Sequence, residues 1–172
     1  MEKIVRFIRE AVTTVALAFA LALILRACIV EAREIPSGSM LPTIHEGDRV
    51  LVNKIVYHMR QPERGEIIVF DPPVQSDYDF VKRVIGLPGD TVEIKNEQVF
   101  INGVALEEDY VAEAPDYAYG PVKVPEGALF VMGDNRNSSY DSHLWETWLP
   151  LDNLKGEAFV RYWPPDRLGK ID

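Results

Sequence analysis

A chain of 172 residues has room for one domain of ordinary size and a short extension, which excludes two large folded units. Its 47% hydrophobic and 26% charged residues form a globular mixture, and a net charge of −9, from 18 Lys+Arg and 27 Asp+Glu, argues against nucleic-acid binding by phosphate neutralisation. A single cysteine, Cys28, forms no internal disulfide, and three His suggest no Cys/His zinc site, so catalysis would rest on oxygen and nitrogen side chains.

The first predicted element is a helix. Ala11 to Val30 is an apolar run of 20 residues, about 30 Å at 1.5 Å per residue, the thickness of a bilayer core. Arg26 sits near its end, where a long side chain can snorkel to the headgroups, and Thr13 and Thr14 can bond back to helix carbonyls. Lys3, Arg6 and Arg9 precede the run and by the positive-inside rule hold the N-terminus in the cytoplasm. The expected organisation is therefore residues 1–30 as cytoplasmic N-terminus and transmembrane anchor, and residues 31–172 as an extracytoplasmic domain. A cleaved signal peptide is a competing reading that the crowded exit of Arg26, Glu31, Arg33 and Glu34 does not suit. A lipoprotein signal at Leu25-Arg26-Ala27-Cys28 is another, with an ill-fitting Arg. Residues 1–30 hold four bases and two acids, leaving 14 bases and 25 acids, a net of −11, on the outer domain.

That domain reads as strands. Residues 48–53, 66–70, 80–85, 91–95, 98–102, 128–132 and 157–162 are β-branched and aromatic runs of five or six residues bounded by turn formers. Thr91 to Ile101 alternates around Asn96-Glu97 as a hairpin, and Asn102-Gly103 is a strong turn signal after it. The fold class expected is mainly β: a single N-terminal transmembrane helix followed by an all-β, barrel-like domain. Residues 107–123, acidic and rich in Tyr, Pro and Gly, read as an exposed excursion. Trp145, Trp148 and Leu149 are expected to pack in the core, with contact at the membrane interface as the alternative.

Three stretches are richer in chemistry than loops require. Ile35-Pro-Ser-Gly-Ser-Met-Leu-Pro-Thr43 sets two serines one residue apart between prolines, five to nine residues beyond the apolar run; its bland reading is a Pro/Ser/Gly linker. Asp79-Phe-Val-Lys-Arg-Val-Ile-Gly-Leu-Pro-Gly-Asp90 puts two bases inside an apolar strand. Alternation sends Lys82 to the face of Phe80 and Val84 and Arg83 to that of Val81 and Ile85, so one cation must lie in apolar surroundings. Burial lowers a lysine's pKa and makes a neutral amine available, although an edge-strand lysine that blocks aggregation reads the same. Met132-Gly-Asp-Asn-Arg-Asn-Ser-Ser-Tyr-Asp-Ser-His143 is dense in Asp, Asn and Ser; it can be a set of turns or a support for a nucleophile, while a calcium loop lacks its spacing. A serine hydroxyl needs a base within about 3 Å to attack an amide. A Ser-His-Asp set drawn from His45, His58 or His143 stays open, and a desolvated lysine is the other solution.

Together the three stretches, their order and the single upstream anchor resemble the bacterial type I signal peptidases, serine/lysine-dyad membrane endopeptidases, in a short single-anchor form. The resemblance covers nearly the whole chain and implies Ser39 as nucleophile and Lys82 as general base. It implies an oxyanion hole from the Ser37 hydroxyl and the Ser39 amide, and Ser139 as the hydroxyl that orients the lysine. Arg83 and Asp134 match a supporting ion pair, and Asp141 a structural acid whose partner is left open because His143 stands where the family usually has Arg. Ile35, Met40, Val50, Val69, Phe80 and Val81 match small apolar pockets for the alanines of an Ala-x-Ala cleavage site. The implied activity is removal of signal peptides from secretory preproteins at a plasma membrane, or at an internal one such as a thylakoid. Partners are then preproteins and the lipid bilayer, with no nucleic acid, metal or organic cofactor. Two rival readings remain: a self-cleaving repressor with the same dyad, which the anchor disfavours, and a tethered noncatalytic β module.

Overall fold

The apolar run contains no Gly or Pro before Pro36, so nothing interrupts the helix it favours. In the computed structural model, which describes residues 2–171, it forms α1 (Glu2–Ile29). The side chains of Glu2 and of residues 25–28 lie outside the described set, and with them the snorkelling expected of Arg26 and the lipoprotein reading of Cys28. Thr13 and Thr14 donate to the carbonyls of Arg9 and Glu10, which satisfies both hydroxyls within the helix. Among the described residues nothing covers the span Lys3–Ile24, long and apolar enough to cross a membrane. The helix ends one residue earlier than expected, because Val30 already pairs in a sheet.

Among the described residues, twelve strands come after the helix. β1 (Val30–Glu34) and β2 (Arg49–Asn53) precede a one-turn helix, α2 (Val56–Met59). β3 (Ile67–Phe70), β4 (Phe80–Gly86), β5 (Thr91–Lys95), β6 (Gln98–Ile101) and β7 (Val104–Ala105) form the middle of the chain. β8 (Tyr119–Lys123), β9 (Ala128–Met132), β10 (Leu149–Pro150), β11 (Leu154–Trp163) and β12 (Gly169–Lys170) complete it. The larger sheet runs β1-β2-β11-β3-β4-β9-β10 with β12 on β11, and it curls into a half-barrel. The smaller sheet runs β7-β6-β5-β8. All ladders are antiparallel, so each strand can bury one face on the core, as the alternating burial of β2 and β5 shows.

All seven expected strands are present. The β5–β6 hairpin turns on Asn96 and Glu97, both at positive φ, and Asn102-Gly103 repeats that backbone between β6 and β7, with Gly103 at φ 82°. The excursion at 107–123 is not simply exposed. It contributes β8 to the smaller sheet, and Tyr117 and Tyr119 pack against the cluster around Phe130. Trp145 and Leu149 are buried between Phe70 and Leu129, and Trp148 packs on the Phe130 side.

Strand β4 carries both cations of the dibasic pair through the middle of the larger sheet. It lies between β3 and β9, pairing Ile68 with Lys82 and Arg83 with Met132. With a neighbour on each edge and packed side chains on both faces, it buries both of its cations rather than one: Lys82 is 4% and Arg83 2% exposed.

Candidate active site

Two buried apolar anchors fix the loop after β1. Met40 and Ile44 insert into the core beside Val50 and Val69, and the Ile35 amide donates to the Asp48 carbonyl at 2.9 Å. Between Ile35 and Met40 the chain must bulge outward, and it presents Ser37 and Ser39 to a cleft of about 590 Å³. The opposite wall of that cleft is the start of β4.

Lys82 Nζ reaches Ser39 Oγ at 2.6 Å and donates to its neighbour's carbonyl, Val81 O, at 3.1 Å. The Phe80 ring lies 5.4 Å from the same ammonium. Burial strips water from Lys82 and lowers its pKa to about 8, against the opposing pull of the carboxylates of Asp141 and Asp134. A serine hydroxyl therefore touches an amine that gives up its proton close to neutral pH, which is what proton abstraction from a weak nucleophile requires. The Ser37 hydroxyl stands 3.5 Å from Ser39 Oγ.

Behind Ser39 and Lys82 lies a buried charged layer. Arg83 Nε and Nη2 donate to Asp134 Oδ1 and Oδ2 at 2.9 and 2.7 Å, a bidentate pair, while Nη1 donates to the Gly65 carbonyl. Thr43 donates to the same carboxylate at 2.6 Å and so ties the serine loop to it. Arg136 makes a second fork, to Glu108 at 2.8 and 2.6 Å. The Tyr110 ring sits 3.7 Å from the Arg83 guanidinium. Asp141 accepts from the Gly133 amide at 2.9 Å and contacts His143 Nδ1 at 2.6 Å, and the His143 ring stacks on Tyr117. The partner of Asp141 is thus His143.

Ser139 is buried, and among the described residues its hydroxyl has no hydrogen-bond partner. No hydrogen bond joins it to Lys82, whose donated bonds go to Ser39 and Val81. Its hydroxyl instead occupies the space beside Gly133, where an added Cβ would collide with Ser139 Oγ and with the Ser39 carbonyl. Ile35, Met40, Phe80 and Val81 line the cleft. Val50 and Val69 do not; they are covered by the core cluster that also holds Ile35 and Met40, so they support the wall without facing the cleft.

Four residues of this arrangement were not singled out by sequence reasoning. Thr43 and Asn135 stood inside the quoted stretches without a role, and Glu108 and Tyr110 lay in the supposed excursion. Asn135 brackets Ser39: its amide donates to the Ser39 carbonyl and its side chain to the Gly38 carbonyl, each at 3.1 Å. Of the His residues considered for a triad, only His143 reaches the site, through Asp141 rather than Ser39. Among the described residues no group of three or more His, Cys, Asp or Glu side chains converges as a metal site. Asp134 and Asp141 spend their oxygens on Arg83, Thr43, Gly133 and His143.

Comparison with known proteins agrees with this architecture. The chain is 49% identical over 169 residues to signal peptidase I of Leptolyngbya laminosa, covering 94% of this chain and 83% of that one. It is 40% identical over 161 residues to thylakoidal processing peptidase 1, chloroplastic, of Arabidopsis thaliana, covering 88% of this chain and 47% of the relative. The crystal structure of a signal peptidase I from Enterococcus faecalis V583 superposes with a TM-score of 0.51 at 34% identity, over 57% of this chain and 97% of that one. The family model for signal peptidase, peptidase S26, matches residues 8–163, and with nearly the whole chain inside that match the protein belongs to this family of hydrolases.

Proposed function

We propose that the protein removes N-terminal signal peptides from translocated preproteins, cutting after Ala-x-Ala by a Ser39/Lys82 dyad. The observation that carries this reading is the 2.6 Å contact between Ser39 Oγ and the buried Lys82 Nζ. Neutral Lys82 takes the Ser39 proton as Oγ bonds to the scissile carbonyl carbon, and the resulting oxyanion is held by the Ser37 hydroxyl and the Ser39 amide. Lys82 then passes that proton to the departing amine as the C–N bond breaks, leaving an acyl-enzyme. A water that gives its proton to Lys82 attacks the ester, and the acid product leaves as Ser39 is reprotonated. Ser139, a buried hydroxyl without a hydrogen-bond partner among the described residues, is assigned to hold the lysine once acylation has removed Ser39 as its neighbour.

Ile35, Met40, Phe80 and Val81 form the apolar walls that receive the alanine side chains, with Val50 and Val69 backing them. Arg83, Asp134 and Asp141 keep the three loops in register. The helix up to Ile29 is the membrane anchor and the β-rich part beyond it the extracytoplasmic peptidase domain, with Lys3, Arg6 and Arg9 holding the N-terminus in the cytoplasm. The membrane is a plasma membrane or an internal one, and the likeness to a thylakoidal enzyme supports the internal one.

Intact-mass analysis of an Ala-x-Ala preprotein incubated with detergent-solubilised protein tests the reading. A single cut after the second Ala, lost in Ser39→Ala and Lys82→Ala, is expected. Uncut substrate with folded wild type would turn the assignment toward a noncatalytic module.

A further inference from the structure

Oxyanion stabilisation depends on where a main-chain N–H points, and the Ser39 N–H belongs to the Gly38–Ser39 peptide. That unit is trans, so its carbonyl and its N–H point in opposite directions. Two donors fix the carbonyl: Asn135 Nδ2 at 3.1 Å and the Leu41 amide at 3.2 Å. The next carbonyl, Ser39 O, is held by the Asn135 amide at 3.1 Å. One residue of a different loop therefore grips the carbonyls on both sides of the nucleophile's Cα. Among the described residues no acceptor takes the Ser39 N–H, while Asn135 and Ser39 line the same cleft. A carboxamide is suited to this grip, because its NH₂ can donate to a carbonyl where a carboxylate or a methyl cannot.

We propose that Asn135 is a positioning residue of the oxyanion hole, pulling the Gly38 carbonyl to one side so that the Ser39 N–H is held aimed at the oxyanion. The inference rests on the peptidase reading and adds a residue to it. Asn135 acts through the peptide and touches neither the proton acceptor nor the scissile bond. Its loss should therefore lower kcat, leave KM nearly unchanged, and leave intact the rise of rate with pH that reports Lys82. Losing an oxyanion donor costs about 10²–10³-fold in kcat. A mis-aimed donor still partly held by Leu41 should cost about 10–100-fold in Asn135→Ala. In Asn135→Asp a carboxylate oxygen would face the Gly38 carbonyl, so the loss should be at least as large.

The experiment uses the full chain in detergent, with an Ala-x-Ala peptide substrate and the corresponding peptide aldehyde. The Ser39 hydroxyl adds to that aldehyde, and its oxygen becomes the hemiacetal oxygen in the hole. Aldehyde affinity should fall in parallel with kcat in both variants, while affinity for the uncleaved peptide, read in Ser39→Ala and Ser39→Ala/Asn135→Ala, should stay the same. Wild-type kcat and aldehyde affinity in either folded variant would overturn the inference, as would losses in peptide binding equal to those in kcat. A lowered melting temperature in Asn135→Ala with normal kcat in Asn135→Asp would also overturn it, since the residue would then be structural only. Failure of the peptidase reading itself is separate, because it would show as wild-type protein whose activity does not depend on Ser39.

Discussion

Lys82 is held where its charged form is disfavoured, and its chemistry and its cost have the same origin. With a pKa lowered to about 8 by burial, about a tenth of it is neutral at pH 7, and that fraction grows tenfold for each pH unit below the midpoint. Cleavage, measured as kcat/KM against pH, should rise with that slope and level off above about 8. Lys82→Arg should be inactive, by at least about 10³-fold, although it keeps the charge, because a guanidinium does not release its proton. The same shift bears on stability. The unfolded lysine, near 10.5, binds a proton that the folded one has lost, so stability rises with pH from about 8. Above about 10 the rise should reverse, because burial holds the Tyr57, Tyr110 and Tyr117 hydroxyls above their ordinary value and only the unfolded chain ionises them. Denaturant unfolding should therefore show a maximum between these limits, and Lys82→Met should flatten the rise. At pH 7 that variant should be more stable than wild type by on the order of 1–3 kcal/mol while cleaving nothing.

The elements around Ser39 and Lys82 are held in register by contacts between loops far apart in sequence. The Arg83–Asp134 fork joins β4 to the loop after β9, and Thr43 joins both to the serine loop. Removing one partner of a buried pair leaves the other uncompensated, so Asp134→Ala should lose about 3–5 kcal/mol in urea unfolding. Gly133 is the point of closest approach: its missing Cβ would meet Ser39 O and Ser139 Oγ. Gly133→Ala should cost about 1–3 kcal/mol and displace the serine loop, which kcat would register more strongly than KM. At this scale strand composition was legible. The seven β-branched and aromatic runs became strands because each covers one or both faces of a sheet. β1, with the sequence VEARE, was not, since alternating charge at a membrane exit resembles a linker. β8 carries Gly120-Pro121, and β7, β10 and β12 are two residues each, too short for any pattern.

Taken whole, the protein joins an uncovered apolar helix to an acidic β domain, and the cleft lies a few residues beyond the join. Protein lacking residues 1–29 should keep its β-type circular dichroism, because the three core clusters draw only on residues beyond the helix. It should also fail to co-sediment with phosphatidylcholine vesicles that the full chain binds; binding at full-chain strength would remove the helix as the anchor. In those vesicles, protease added outside should digest the β domain and spare α1 when the domain faces outward.

Periodicity and composition by themselves determined the apolar helix, the β class and the placing of one cation of the Lys82-Arg83 pair in apolar surroundings, because each is a local property of which side chains neighbour one another along the chain. The short spacings within the Ser37–Ser39, Lys82–Arg83 and Asp134–Asp141 stretches also marked the candidate site. The tertiary structure decided what depends on contacts across dozens of residues. Only the packing of β4 between β3 and β9 shows that Arg83 is buried together with Lys82. Only the return of the 107–123 segment brings Glu108 to Arg136 and Tyr110 over Arg83. Val50 and Val69, alike in sequence to residues that line the cleft, do not line it and lie in the core cluster that also holds Ile35 and Met40. The partner of Asp141 and the grip of Asn135 on the Gly38–Ser39 peptide depend on atomic directions, which arise when separate loops are pressed together and are carried by no single stretch of sequence.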